Sequence, residues 1–210
     1  MSIGHVRAGI ALNDTNASPD DLKRQRILER AAKVFLAYGI QRTTMDDIAK
    51  AAEMSRPALY LLFRNKVDIY QAIALSYFDG SVATARQVLA GDGPIGERLN
   101  LLLETSMFAM MEEFMRSPHG HEILDMKNQL AGEVLADWKE SMVGLVADAL
   151  DRAARDSGVD LRARGYSAET LASLFWDAIE GMKARLKNLD ELRVATRSLV
   201  SVVARAVTPG

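Results

Sequence analysis

Thr43-Thr-Met-Asp-Asp-Ile-Ala-Lys-Ala-Ala-Glu-Met-Ser-Arg-Pro-Ala-Leu-Tyr-Leu-Leu-Phe63 is the stretch whose reading decides the fold. Thr43 and Thr44 offer hydroxyls to cap a helix, and Thr44-Met-Asp-Asp47 has the form of a capping box with Asp where Glu is usual. A helix of about two turns therefore opens here and runs to about Ala52. Glu53-Met54 leaves room for only a tight connection, expected to need no positive φ because its residue is not glycine. Ser55 is a second cap. Pro57 falls in the first turn, where its missing N–H costs nothing, and a third short helix runs to about Phe63. Two short capped helices around a tight turn, the second beginning with basic and hydroxyl groups, satisfy the geometry of a DNA-binding helix-turn-helix. Helix N-termini bring N–H groups and a positive dipole end to phosphate, and Arg56 is placed to donate to guanine O6 and N7. The same pattern also fits an ordinary three-helix bundle whose caps only satisfy its own donors.

Outward from this stretch the sequence is helical. Upstream, Leu22, Ile27, Ala31 and Phe35, flanked by Val34 and Tyr38, recur near a 3.6 period from Asp20 until Gly39 stops them. Residues 1–19 lack periodicity and read as a disordered arm. Downstream, a fourth helix from Lys66 to about Leu89 carries Ile69, Ile73, Tyr77 and Phe78 and ends at Gly91-Asp-Gly-Pro94. Leu99 to Met115 then reads as one helix, followed by a short segment at Ile123 to Met126. A long helix spans about Gln129 to Asp156. Ser167 caps the next, and the last is striped by Leu192, Leu199, Val202 and Val203. The short turn Asn188-Leu-Asp190 makes the final two helices an antiparallel hairpin. The expected fold is all-α, divided into an arm (1–19), a three-helix DNA-binding domain (20–66) and a larger helical body (67–210).

The 210 residues contain no cysteine, which excludes disulfides and thiolate metal sites. No signal-peptide start and no run of roughly 18 apolar residues is present, so the chain is expected to be cytoplasmic, without a membrane partner. Net charge is −2, but Met1–Lys66 carries 11 Lys+Arg against 7 Asp+Glu, a head of +4 on a body of −6. A head of that sign draws phosphate. A pI near 6.0 argues against a non-specific architectural DNA binder.

The run Ile27-Leu-Glu-Arg-Ala-Ala-Lys-Val-Phe35, Gly39, Thr43-Thr-Met-Asp-Asp-Ile-Ala49, Ser55-Arg-Pro-Ala-Leu-Tyr60, Phe63 and Asn65-Lys66 resembles the DNA-binding domain of the TetR family of transcriptional repressors. The resemblance covers roughly Arg24 to Ile73. It implies that Arg56, Pro57 and Ala58 occupy the base-facing start of the recognition helix. It further implies that Thr44, Ser55, Tyr60 and Lys66 stand at phosphate contacts, and Thr43 completes the expected DNA-binding set. Tyr60 also reads as a possible core aromatic, whereas Ile48, Ala49, Leu59 and Phe63 read as core. Leu61-Leu62 departs from the polar or aromatic pair often seen there, leaving these side chains either to touch thymine methyls or to pack inward.

The same resemblance implies a homodimer through the last two helices, residues 167–207, and a body that binds a small-molecule effector. Met107, Met110, Met111, Phe114, Trp138, Met142, Phe175 and Trp176 are the candidate ligand-binding residues, although a Met stripe at helical spacing also makes plain core. His119, His121 and Asp125 have metal-ligand spacing but sit in a Ser-Pro-His-Gly setting typical of solvated loops, so neither metal nor cofactor is expected. No catalytic constellation stands out. The expected function is a ligand-responsive repressor of operator DNA rather than an enzyme; the alternative is an all-helical enzyme or small-molecule carrier whose N-terminal helices are structural.

Overall fold

Ser18 opens the first helix: its Oγ accepts from Asp21 N at 3.2 Å while the Asp21 carboxylate accepts from Ser18 N at 3.1 Å. The computed structural model describes residues 18–120, 123, 132–186 and 188–209. Most of the expected arm 1–19 lies outside the described residues, but Ser18 and Pro19 belong to the helix start, one residue ahead of the expected onset. The helix α1 (Pro19–Tyr38) ends at Gly39, whose φ of 78° suits a residue without Cβ. Two short helices follow, α2 (Met45–Ala51) and α3 (Arg56–Leu62), and then the long α4 (Lys66–Ala90). Ile27, Ala31, Phe35, Ile48, Leu59, Phe63 and Ile69 meet in one core and are at most 2% exposed. Burial of the Ile, Leu and Phe side chains stabilises by about 1.5–3 kcal/mol each, before conformational entropy is charged against it.

Beyond α4 the elements are α5 (Ile95–Leu103), a π-helical turn (Glu104–Phe108), α6 (Ala109–Arg116), α7 (Gly132–Asp156), α8 (Ala168–Arg185) and α9 (Leu189–Ala206). The described residues contain no strand, so the fold is all-α as expected. The single helix expected from Leu99 to Met115 is interrupted by the π turn. Thr105 Oγ1 donates to Leu101 O at 2.8 Å and Ser106 Oγ donates to Leu102 O, so two consecutive hydroxyls compete for the carbonyls of the preceding turn.

The described residues form two compact units, those within 18–81 and 109–138, and those within 82–108 and 139–209. The chain passes from one unit to the other inside α4, between Ser81 and Val82. The cause lies in the first unit: Phe114 packs against the core there, Ser117 Oγ donates to Leu36 O, and Tyr70 OH donates to Ile123 O at 3.0 Å. In the second unit α8 and α9 pack against each other across residues 186–188. Phe175, Trp176 and Ile179 of α8 and Leu192, Thr196, Val200 and Val203 of α9 are buried. Leu174, Val194 and Val202 stay 59%, 66% and 67% exposed. Val203, read in the sequence on one stripe with Val202, therefore faces its own core.

Candidate nucleic-acid interface

The first unit is built to present α3. Ser55 Oγ caps it by accepting from Ala58 N at 3.3 Å, and Leu59, wholly buried, anchors its inner face. Leu59 directs Ser55, Arg56, Pro57, Tyr60 and Leu61 outward, all of them exposed. Arg56 and Tyr60, one turn apart, form a pair: the guanidinium carbon lies 5.5 Å from the ring centroid, and Nη2 donates to the phenol oxygen at 3.5 Å. Contact with the Tyr60 hydroxyl also holds the Arg56 pKa above its ordinary value. Tyr60, 44% exposed, is thus a surface aromatic and not core. Ala58 is half-buried.

The helix before it is fixed by Thr44. Its Oγ1 accepts from Asp47 N at 3.2 Å and donates to the Asp47 carboxylate at 2.7 Å, which in turn accepts from Thr44 N at 2.9 Å. These bonds hold the Asp47 carboxyl below its ordinary pKa, the hydroxyl bond contributing most. The capping box is therefore closed with Asp in the role of Glu.

Thr43 and Lys66, both expected at the DNA, bond to backbone carbonyls of the chain itself. Thr43 is 2% exposed and its hydroxyl donates to Gly39 O at 2.7 Å, so it closes the end of α1 instead of facing outward. Lys66 Nζ donates to the carbonyls of Ile40, Gln41 and Thr43 at 2.7, 2.8 and 3.0 Å. An ammonium has three donors, and the three carbonyls match them. Lys66 ties the loop between α1 and α2 to the first turn of α4.

The turn also differs from expectation. Glu53 has φ 57°, the one positive φ outside glycine among the described residues. Glu53 N donates to Lys50 O at 3.1 Å and Met54 N to Ala49 O at 3.0 Å, the paired closure that places its penultimate residue in the left-handed region. With only Ala52, Glu53 and Met54 between the end of α2 and the Ser55 cap, the chain reverses this way although the residue at the left-handed position carries a Cβ. The signal was the connection length; the absence of glycine misled.

The eight candidate ligand residues are divided between the two units. Met107, Met142, Phe175 and Trp176 are buried in the second unit, whereas Met110, Met111, Phe114 and Trp138 belong to the first. Trp138 Nε1 donates to Ser81 Oγ at 2.7 Å and its ring stands 5.4 Å from that of Phe78, so its polar edge is already occupied. A cleft of about 510 Å³ in the second unit is lined instead by Pro94, Gly96, Arg98, Asp156, Arg197 and Arg205 among others, with none of the eight. No group of three His, Cys, Asp or Glu among the described residues is arranged to hold a metal; His121 and Asp125 lie outside them.

A capped α2, a reversal at Glu53 and an outward α3 define a helix-turn-helix DNA-binding protein. Residues 27–73 match the model of the bacterial regulatory proteins of the tetR family. The HTH-type transcriptional activator FasR of Mycolicibacterium smegmatis is 30% identical over 165 residues, 78% of this chain and 73% of that protein. The HTH-type transcriptional regulator TtgR of Pseudomonas putida is 36% identical over 83 residues, 39% of this chain and 40% of that one. A TetR-family regulator from Mesorhizobium loti superposes with a TM-score of 0.65 at 17% identity over 89% of this chain and 97% of that one, a likeness of fold. The chain belongs to the TetR family: it is a DNA-binding transcriptional regulator and not an enzyme. No described helix is long and apolar enough to cross a membrane.

Proposed function

We propose that this chain is a cytoplasmic, ligand-responsive repressor that binds operator DNA as a homodimer. The observation that carries the reading is α3, anchored by the buried Leu59, with Arg56, Pro57 and Tyr60 exposed, Ala58 half-buried beside them, and Thr44 and Ser55 at the flanking caps. Arg56 reads a base edge, and Ser55, whose O–H has no acceptor among the described residues, donates to phosphate. Dimerisation through residues 167–207 covers Leu174, Val194 and Val202 in a four-helix bundle, and sets two α3 helices about 34–36 Å apart on successive major grooves. Residues 20–66 serve as the reading head and 67–210 as the regulatory body. An apolar or amphipathic effector opens the second unit's core around Met107, Met142, Phe175 and Trp176, where flexible thioethers repack at low cost. It binds the DNA-incompetent state more tightly, and DNA weakens its binding by the same factor.

Fluorescence anisotropy with the DNA upstream of the chain's own gene tests the reading: salt-sensitive, sequence-specific binding is expected, and its absence overturns it. Since FasR is named an activator, the sign of control is read from a reporter fused to that DNA. Expression rises when the regulator is removed if it represses and falls if it activates.

A further inference from the structure

Leu61 is 87% exposed, more than any other large apolar side chain among the described residues. At 100° per residue, position 61 lies about 200° around α3 from position 59. Leu59 is wholly buried, so Leu61 projects from the face turned directly away from the core, one turn on from the exposed Pro57. It neither packs inward nor helps hold the head together. A single exposed leucine is ordinary, but this one occupies the centre of an outward face flanked by the Arg56–Tyr60 pair. The helix Arg56–Leu62 carries no acidic side chain to repel phosphate.

From this geometry we infer that Leu61 determines specificity by packing against the C5 methyl group of a thymine in the major groove. The inference rests on the DNA-binding reading above. Its chemical ground is exclusion: an alkyl side chain has no donor or acceptor for N7, O6, N6, N4 or O4, and the thymine methyl is the apolar feature that base edges offer in that groove. Arg56 and Leu61 then read different things on one helix, the first a hydrogen-bonding pattern and the second a methyl group. The removal of methyl from water on both sides of the contact supplies the preference.

The test starts from a random duplex library, from which the full-length protein selects its preferred sequence. Each thymine of that sequence is then replaced by deoxyuridine, which removes the methyl and keeps every hydrogen-bonding group. At one thymine per half-site the wild-type protein is expected to lose about fourfold in affinity, the equivalent of one methyl-sized group at about 0.8 kcal/mol. The loss reaches about fifteenfold when both half-sites are changed. Leu61→Ala should bind the thymine and deoxyuridine duplexes alike, whereas Arg56→Ala keeps the discrimination on a weakened background. Because Leu61 is exposed, L61A should retain the wild-type melting temperature, which separates lost contact from lost fold. A wild-type protein indifferent to every deoxyuridine, or a Leu61→Ala variant that pays the same penalty at the same position, overturns the inference. A selection that enriches no sequence overturns the DNA-binding reading and this inference together, whereas enrichment without methyl dependence removes only the role of Leu61.

Discussion

Among the described residues, α3 and the hairpin of α8 and α9 both hold apolar side chains in water, and they differ in their neighbours. On α3, Leu61 stands in the company of a guanidinium, a phenol and a serine hydroxyl. On the hairpin of α8 and α9, Leu174, Val194 and Val202 are exposed on helices whose other faces are buried. Exposure alone does not name a partner. An isolated apolar group among donors suits a polar surface with local methyl features, whereas several spread over two packed helices suit another apolar helical face. The first surface suits nucleic acid, and the second is the one that the proposed dimer would cover.

The sharpest test of that contrast lies within α9. Val203→Asp buries an unpaired charge in the second unit's core and should cost about 4 kcal/mol or more, seen as a collapse of the thermal transition. Val202→Asp, one residue away but 67% exposed, should keep its helical signal and sediment as a monomer that binds operator weakly. If V202D remains a dimer, the interface lies elsewhere.

Next in size is Arg56→Ala, which should weaken operator binding roughly ten- to a hundredfold and relax preference at one base pair per half-site. Equal losses on operator and random DNA would make Arg56 a phosphate contact.

Lys66→Ala deprives three carbonyls of their donor and should lower the stability of the first unit by about 1–3 kcal/mol, measured by urea unfolding. Its operator affinity, measured well below the melting temperature, should keep the salt dependence of wild type. A shallower salt dependence would return Lys66 to the interface.

Glu53→Gly should act in the opposite direction, raising stability by about 1 kcal/mol because glycine takes φ 57° without a Cβ penalty. A lower melting temperature would mean that the Glu53 side chain contributes more than its backbone costs.

The smallest effect concerns acid. Asp47 is held below its ordinary pKa of 3.8 in the folded state by Thr44. Its contribution is therefore complete above that value and lost as pH falls through the lowered one. Thr44→Ala should flatten this part of the stability profile on the acid side of the ordinary carboxylate range; an unchanged profile would show that the cap is not what acid breaks.

The helices of the first unit were legible because their signals are local. Caps at Thr44 and Ser55, a stop at Gly39 and an apolar period of 3.6 are written within a few residues of the structure they produce. What failed depends on distance along the chain. Nothing near Lys66 announces that carbonyls 23 to 26 residues earlier will claim its ammonium. Thr43 and Thr44 look interchangeable as caps, and only the approach of Gly39 O decides between them. The methionine stripe was projected along an unbroken α-helix, but the π turn at Glu104–Phe108 shifts its phase. Met107 is consequently buried, whereas Met110 and Met111 are half-buried in the other unit. Val202 and Val203 could not be separated by composition, since both are valine and only the packing of α9 chooses which faces inward.

The three bonds from Lys66 also bear on its chemical reactivity. Acylation requires a nitrogen lone pair, and an ammonium that donates all three hydrogens to Ile40, Gln41 and Thr43 must first leave those carbonyls and shed a proton. An amine-directed label should accordingly reach Lys23, at the exposed start of α1, in the folded protein, and reach Lys66 only during openings of the loop that joins α1 to α2. The ratio of the two labelling rates makes Lys66 a chemical clock for the opening of the head, read by mass spectrometry without any substitution.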